Sequence, residues 1–425
     1  MYDDYTCIGT ATRGMTIDAP IYLSRDDRRR HLHLLGKTGT GKTTAIRALV
    51  FDDLAQNRDF ALLDPLGHLA ESIVDAVPAE CNDRVIYFDP SDAAHVPAFN
   101  PLYAVPKTER HLVADQILEA FLRVWGASLE DAPRLAYILY NGVRLLLDAP
   151  STTLLGLPRL LIDDDYRTRL LHHCSDPVVR HYWQGEFASY DDRFRVQVIS
   201  PVQNKIGMLL SPPALRNIIG QPRSTINITR LMNEGGILLA NLAKGKLGST
   251  TSHLLGAFLT TTIAHVAQSR IARPAHEWRD FTLYADEVQN VATDSFAFAL
   301  SESRNWNLMI VTANQFMAQL PESMQKALIA NCGSFVIFRV GSHDSALMAK
   351  EFGLENASTL SETPNFHAWV RLLENGNPTD PFIMKTLVPE APAQGRKSAV
   401  VAHTRARHTR AIEKVERSIH AQLGA

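Results

Sequence analysis

Residues 36–44 read GKTGTGKTT, a run that contains Gly-x-x-x-x-Gly-Lys-Thr. That spacing suits phosphate. Gly36, Gly39 and Gly41 let the backbone turn its N–H groups inward, and with Lys37, Thr38, Thr40 and Thr44 they form a loop that wraps phosphate oxygens. Lys42 reaches the β- and γ-phosphates, and the Thr43 hydroxyl can ligate Mg²⁺ at a helix N-terminus. Downstream, the apolar run FTLYADE at 281–287 ends in two carboxylates. Asp286 would hold Mg²⁺ through its water shell, and Glu287 would orient or deprotonate an attacking water. Alone, such a pair more often reads as two solvated loop carboxylates; the phosphate loop upstream reverses that reading. Gln315 follows the run LMIVTAN at 308–314, where its amide can sense a γ-phosphate or position water, or simply cap a loop. Arg304 comes 17 residues after Glu287 and 11 before Gln315. An arginine there could neutralise charge at a neighbouring subunit's nucleotide, or be an ordinary surface side chain. Arg339, in FRVG at 338–341, is the rival candidate. The ligands implied are ATP and Mg²⁺.

These groups need a scaffold, and the pattern around them supplies one. HLHLL at 31–35 precedes the loop, and Ile46, Leu49, Val50 and Leu54 give the following helix one apolar face. Short, nearly all-apolar strands are expected at 60–64, 84–88, 236–242, 281–286, 308–312 and 334–340. Alternating with helices, they predict an α/β fold with a mostly parallel central sheet covered on both faces. A ligand should lie at the carboxyl ends of those strands, with the Asp-Glu strand beside or near the phosphate-loop strand. Between 107 and 231 the pattern is helical, as in Val113, Ile117, Phe121 and Val124. The expected organisation is a first motor part at 1–106, an inserted all-α domain at 107–231, a second motor part at 232–390, and a linker with a C-terminal helix at 391–425. The Pro-rich stretch 389–395 marks that linker.

The chain has 425 residues, 45% of them hydrophobic, and a formal net charge of −2. It is not basic overall, so nucleic-acid contact must come from a local patch or from repetition around an oligomer. Cys7, Cys81, Cys174 and Cys332 show no paired spacing, and His172-His173-Cys174 lacks a second ligand pair. The start Met1-Tyr2-Asp3-Asp4 is acidic and carries no secretory signal pattern. The longest apolar helical run, 254–267, is interrupted by Thr260, Thr261, Thr262 and His265 and is too short to cross a bilayer. The segment 396–425 is locally basic, yet Ile412, Val415, Ile419 and Leu423 share one helical face. It reads first as a tail helix docked on the motor, second as a DNA- or partner-binding face.

The pieces ADEVQN (285–290), SESRNWNLMIVTANQ (301–315), QLPESMQKALIANCGSFVIFRVG (319–341), DPLGH (64–68), FNPL (99–102) and ANLAKGKLG (240–248) resemble conjugative coupling ATPases. These are the DNA-transfer ATPases of type IV secretion, the TraG and TraD kind, within the HerA-FtsK superfamily of ring translocases. The resemblance implies a RecA-like P-loop NTPase, a hexamer with nucleotide at each subunit boundary, and DNA moved through a central channel. Matched position by position, Lys42 and Thr43 are the phosphate-loop residues and Asp286 and Glu287 the magnesium and water residues. Gln315 matches the γ-phosphate sensor and Arg304 the trans-acting finger, while Lys244 and Lys246 fall where relatives place basic residues. Relaxosome and secretion components are the implied partners. Members of the family usually begin with transmembrane helices; here no membrane span is expected, which implies a cytoplasmic protein, either a soluble relative or a version recruited to the inner membrane by partners.

Overall fold

The computed structural model describes residues 4–13, 16–389 and 395–423, so most of the Pro-rich stretch 389–395 and the first three residues lie outside the described residues. The chain divides into two compact units. One comprises residues 1–88, 228–243 and 263–403; the other comprises 89–227, 244–262 and 404–425.

The first unit is built on an eleven-stranded sheet among the described residues. In chain order its strands are β1 (Tyr5–Arg13), β2 (Thr16–Ser24), β3 (Leu32–Leu35), β4 (Phe60–Asp64), β5 (Val85–Phe88) and β6 (Ile237–Asn241). They continue with β7 (Phe281–Ala285), β8 (Leu308–Asn314), β9 (Ser334–Ile337), β10 (His367–Arg371) and β11 (Phe382–Thr386). Their order across the sheet is β2-β1-β11-β10-β9-β3-β8-β7-β4-β6-β5. From β9 to β5 the strands run parallel, and every residue of β3, β4, β6, β7 and β8 is buried. Continuous apolar runs bury both faces, which is why the sequence shows them without alternation. The other end is antiparallel: β10, β11, β1 and β2 form a meander that the sequence reading did not anticipate. Burial alternates along β10, as a sheet with one covered face requires.

Two buried arginines fix the amino ends of these strands. Arg28, the last residue of the one-turn helix Arg25–Arg28 before β3, donates two bonds of 2.6 and 2.8 Å to the Asp53 carboxylate and one of 2.9 Å to the Tyr284 hydroxyl on β7. Burial pushes the Asp53 carboxyl up, but Arg28, Tyr284 and Arg58 together outweigh it and hold the group below the usual carboxylate range. Arg270 is fully buried and donates to the carbonyls of Met232, Arg279 and Trp306, which precede β6, β7 and β8.

In the second unit every described element between Lys107 and Asn227 is helical. The expected domain 107–231 falls in it up to residue 227, and the unit also takes in 89–106, 244–262 and 404–425. It is not wholly helical, because His95–Pro97 pairs with Thr409–Ala411. That pairing corrects the single C-terminal helix: it holds residues 409–411 extended and splits the segment into helices Lys397–His408 and Ile412–Leu423. Val415 and Ile419 are buried, but their helix packs within the second unit, on Pro213–Ile219, and not on the motor part as expected. Asn100 of the FNPL motif is also buried and bonds Thr152 and Pro222 carbonyls and the Leu102 amide, a structural assignment. No helix among the described residues is long and apolar enough to cross a membrane.

Arg28→Leu would leave Asp53 buried with one charged partner fewer. Urea denaturation of the first unit should show a loss of about 3 kcal/mol, the cost of breaking a buried pair.

Candidate active site

The parallel register brings the carboxyl ends of β3, β8 and β9 level: Leu35 pairs with Asn314 on one side and with Ile337 on the other. The phosphate loop leaves β3 at that level and is tied to both neighbours. The Gly36 amide donates to the Asn314 carbonyl at 3.3 Å and the Lys37 amide to the Arg339 carbonyl at 2.9 Å. Gly39 and Gly41 have φ of +77° and +126°, which L side chains rarely adopt, and a Cβ on Gly41 would come within 2.9 Å of the Phe338 ring. The helix Lys42–Ala55 starts directly afterwards, so its N-terminal amides face the loop's concavity.

Lys42 is buried, and its ammonium donates to the carbonyls of Gly36 and Lys37. Burial lowers its pKa; the charges of Glu287 and Asp286 act the other way. Thr43 donates its hydroxyl to Asp286 at 3.4 Å, joining the loop to the end of β7. One strand, β8, separates β3 from β7, so the Asp-Glu strand is near the phosphate-loop strand rather than beside it. Burial first, then the charges of Asp64 and Glu287, push the Asp286 carboxyl up to about 7, against the Glu287 amide and Lys42.

Glu287 is buried and left-handed, with φ of +47°, an uncommon conformation for a residue with a side chain. Its carboxylate accepts from Gln315 at 3.0 Å on one oxygen and from Gln289 at 2.6 Å on the other. Lys42, Thr43, Asp286, Glu287 and Gln315 therefore form one connected site. Gln289 and Asp64 were missed as site residues. Gln289 stands two residues after Glu287 inside ADEVQN, and Asp64 opens DPLGH. Asp64 is buried and accepts from the Leu66 and Ala70 amides at 2.9 Å each, which keeps its charge beside the Asp286 strand.

Arg304 is not brought into this site. It is exposed in the turn Ser303–Trp306 that enters β8, at the amino end of the strands, and its charge adds to burial in lowering the His31 imidazole to about 4. Arg339 is on the loop side and donates to the Asn365 side chain at 2.7 Å. Lys244 and Lys246 lie on the one-turn helix Lys244–Leu247 in the second unit.

No family model matches this chain, and no curated protein matches it in sequence. Solved structures do. The bacterial conjugative coupling protein TrwB, in its unbound form, is 15% identical over 91% of this chain and 92% of its own, with a TM-score of 0.66. The fold is that of TrwB. TrwB has also been solved with ADP and Mg²⁺, at 15% identity, 91% and 93% coverage and TM-score 0.65. VirB4 of Thermoanaerobacter pseudethanolicus is 11% identical over 90% of this chain and 96% of its own, with a TM-score of 0.57. The chain thus has a RecA-like P-loop fold, with a large, mostly parallel sheet.

The raised Asp286 pKa has a sign that can be tested without ligand. Below about pH 4 both the folded and unfolded chain hold this proton; between about 4 and about 7 only the folded chain does. Stability contributed by the protonated group is therefore lost as pH rises through that window. Asp286→Asn should stabilise the metal-free protein by about 2–4 kcal/mol at pH 8 and scarcely at pH 4, read by urea denaturation. An equal gain at both pH values would mean that the carboxyl ionises normally.

Proposed function

We propose that this chain is an ATP-driven DNA motor: it hydrolyses ATP with Mg²⁺ at the boundary between subunits of a hexameric ring and moves DNA through the centre. The observation that carries this reading is the connected set Lys42, Thr43, Asp286, Glu287 and Gln315 at the carboxyl ends of one sheet. Asp286, raised by burial and then by two neighbouring carboxylates, is a group that a divalent cation would relieve. Thr43 and Asp286 are the residues to hold Mg²⁺, which when bound neutralises charge on the β- and γ-phosphates.

The chain's own groups then divide the work. Loop amides and Lys42 bind the phosphates. Glu287, oriented by two amides, takes the proton of the attacking water, and Gln315 links that carboxylate to the γ-phosphate. Arg304, at the other end of the strands from its own loop, is suited to serve the next subunit's nucleotide. Lys244 and Lys246 repeated six times would supply a dozen positive charges, which reconciles a net charge of −2 with DNA binding. Such a motor would serve conjugation or type IV secretion from the cytoplasmic side, recruited to the inner membrane by relaxosome or secretion components.

The test is ATP turnover with single-stranded DNA, double-stranded DNA and no DNA, at two salt concentrations. Turnover should rise with DNA, and DNA affinity should fall steeply with salt. Glu287→Gln should still bind ATP but lose about 10²- to 10⁴-fold in turnover. Turnover indifferent to DNA would favour a ring that powers assembly or protein transfer; unimpaired function of Glu287→Gln would favour a nucleotide-dependent scaffold.

Arg304→Ala should cut turnover by about 10³-fold or more with nucleotide affinity unchanged. Mixing it with Glu287→Gln subunits should restore part of the activity, because some boundaries then combine an intact acid with an intact arginine. No recovery on mixing would place its effect within its own subunit.

A further inference from the structure

We infer that Phe366 is the surface on which the base of the bound nucleotide stacks, an assignment that rests on the phosphate-loop reading above. Phe366 lies immediately before β10 and has φ of +62°, an outlier for a bulky side chain. Three hydrogen bonds hold it there. Its amide donates to the Thr40 carbonyl of the phosphate loop at 2.7 Å, and its own carbonyl accepts from the Thr386 amide at 2.9 Å and the Thr386 hydroxyl at 3.0 Å. The ring rests on the loop: a Cβ on Gly41 would sit 3.4 Å from Phe366 Cδ1.

The strained backbone does not serve the core. Phe338, the other ring against Gly41, is fully buried, whereas Phe366 is 43% exposed. An aromatic ring fixed in place at a phosphate loop, with much of it left open to solvent, is a preformed contact surface.

The sheet order sets which end of the nucleotide meets it. Glu287 and Gln315 follow β7 and β8, on one side of the phosphate-loop strand β3, and mark the γ-phosphate end. β9 and β10 lie on the other side of β3, and Phe366 enters β10. A triphosphate laid across the loop with its γ end at Gln315 directs its ribose and base toward Phe366. Two polar atoms next to the ring have partners in the protein: Asn365 Oδ1 accepts from Arg339, and His367 Nδ1 lies 3.1 Å from the Asn365 carbonyl. The ring face is what this segment offers, and every base has a face to stack on it. Phe366 should therefore strengthen binding of adenine and guanine nucleotides alike.

Phe366→Gly separates the ring from the backbone, because glycine accepts the left-handed conformation and retains all three main-chain bonds. Affinities would be measured for ATP, GTP and inorganic tripolyphosphate, each with Mg²⁺. The variant should lose about ten- to a hundredfold for ATP and for GTP and bind tripolyphosphate as the wild type does. A second variant, Phe366→Trp, should show indole fluorescence quenched by ATP but not by tripolyphosphate. Equal weakening for all three ligands would make Phe366 a support of the loop and overturn the assignment, as would an unchanged ATP affinity. If the wild type bound neither ATP nor tripolyphosphate, the phosphate-loop reading itself would fall. Tight tripolyphosphate binding with no ring effect would sink only Phe366.

Discussion

Three buried carboxylates, Asp64, Asp286 and Glu287, converge at the carboxyl ends of adjacent strands, with the ammonium of Lys42 near enough to act on two of them. Each has its own hydrogen-bond donors: turn amides for Asp64, the Glu287 amide and the Thr43 hydroxyl for Asp286, and two glutamines for Glu287. Donors hold the side chains in place but leave negative charge in a poorly hydrated space. Burial, and after it the charges of Asp64 and Glu287, push Asp286 up to about 7. A divalent cation bound there, as proposed above, would remove this imbalance, so binding and local electrostatic relief would be one event.

The imbalance persists only because the backbone prevents the carboxylates from turning away. Side chains alternate along a strand, so a one-residue slip of β7 would send Asp286 to the opposite face. Continuous burial of β3, β4, β7 and β8 makes such a slip costly. The opposite ends are fastened separately. Arg28 ties the one-turn helix before β3 to Tyr284 on β7, and Arg270 gathers the residues that precede β6, β7 and β8. Stability at the amino ends thus maintains geometry at the carboxyl ends, some four to seven residues along each strand.

Legibility in the sequence followed burial. Strands such as FALLD and FTLYA, buried on both faces, stand out as apolar runs, and the loop and acids that follow them could be placed with them. β10, in HAWVR, alternates between buried and half-buried, and β1 and β2 lie at an edge, so no run marked them. Gln315 was legible because it directly follows a strand. Gln289 was not, because only the turn Val288–Asn290 and the left-handed Glu287 bring its amide back to the carboxylate. Phe366 gave no signal at all, since its importance lies in a bond to Thr40, 326 residues earlier. The split of the C-terminal segment was hidden for the same reason: residues 409–411 are extended by pairing with His95–Pro97.

Arg339 and Arg304 show how the same residue type takes different work from its place in the sheet. Arg339 follows β9 on the loop side, where its carbonyl receives the Lys37 amide and its guanidinium holds Asn365, the neighbour of Phe366. It joins the phosphate loop to the segment bearing the exposed ring, and a guanidinium so engaged is not poised over the γ-phosphate. Arg304 is exposed at the amino end, beyond reach of its own loop. Among the described residues Lys42 is the buried cation beside the Asp286 and Glu287 carboxylates, and charge developing on a leaving phosphate would call for a second one. In the ring proposed above, turnover at such a site would wait for a neighbour, and chemistry in one subunit would be coupled to the arrangement of the next.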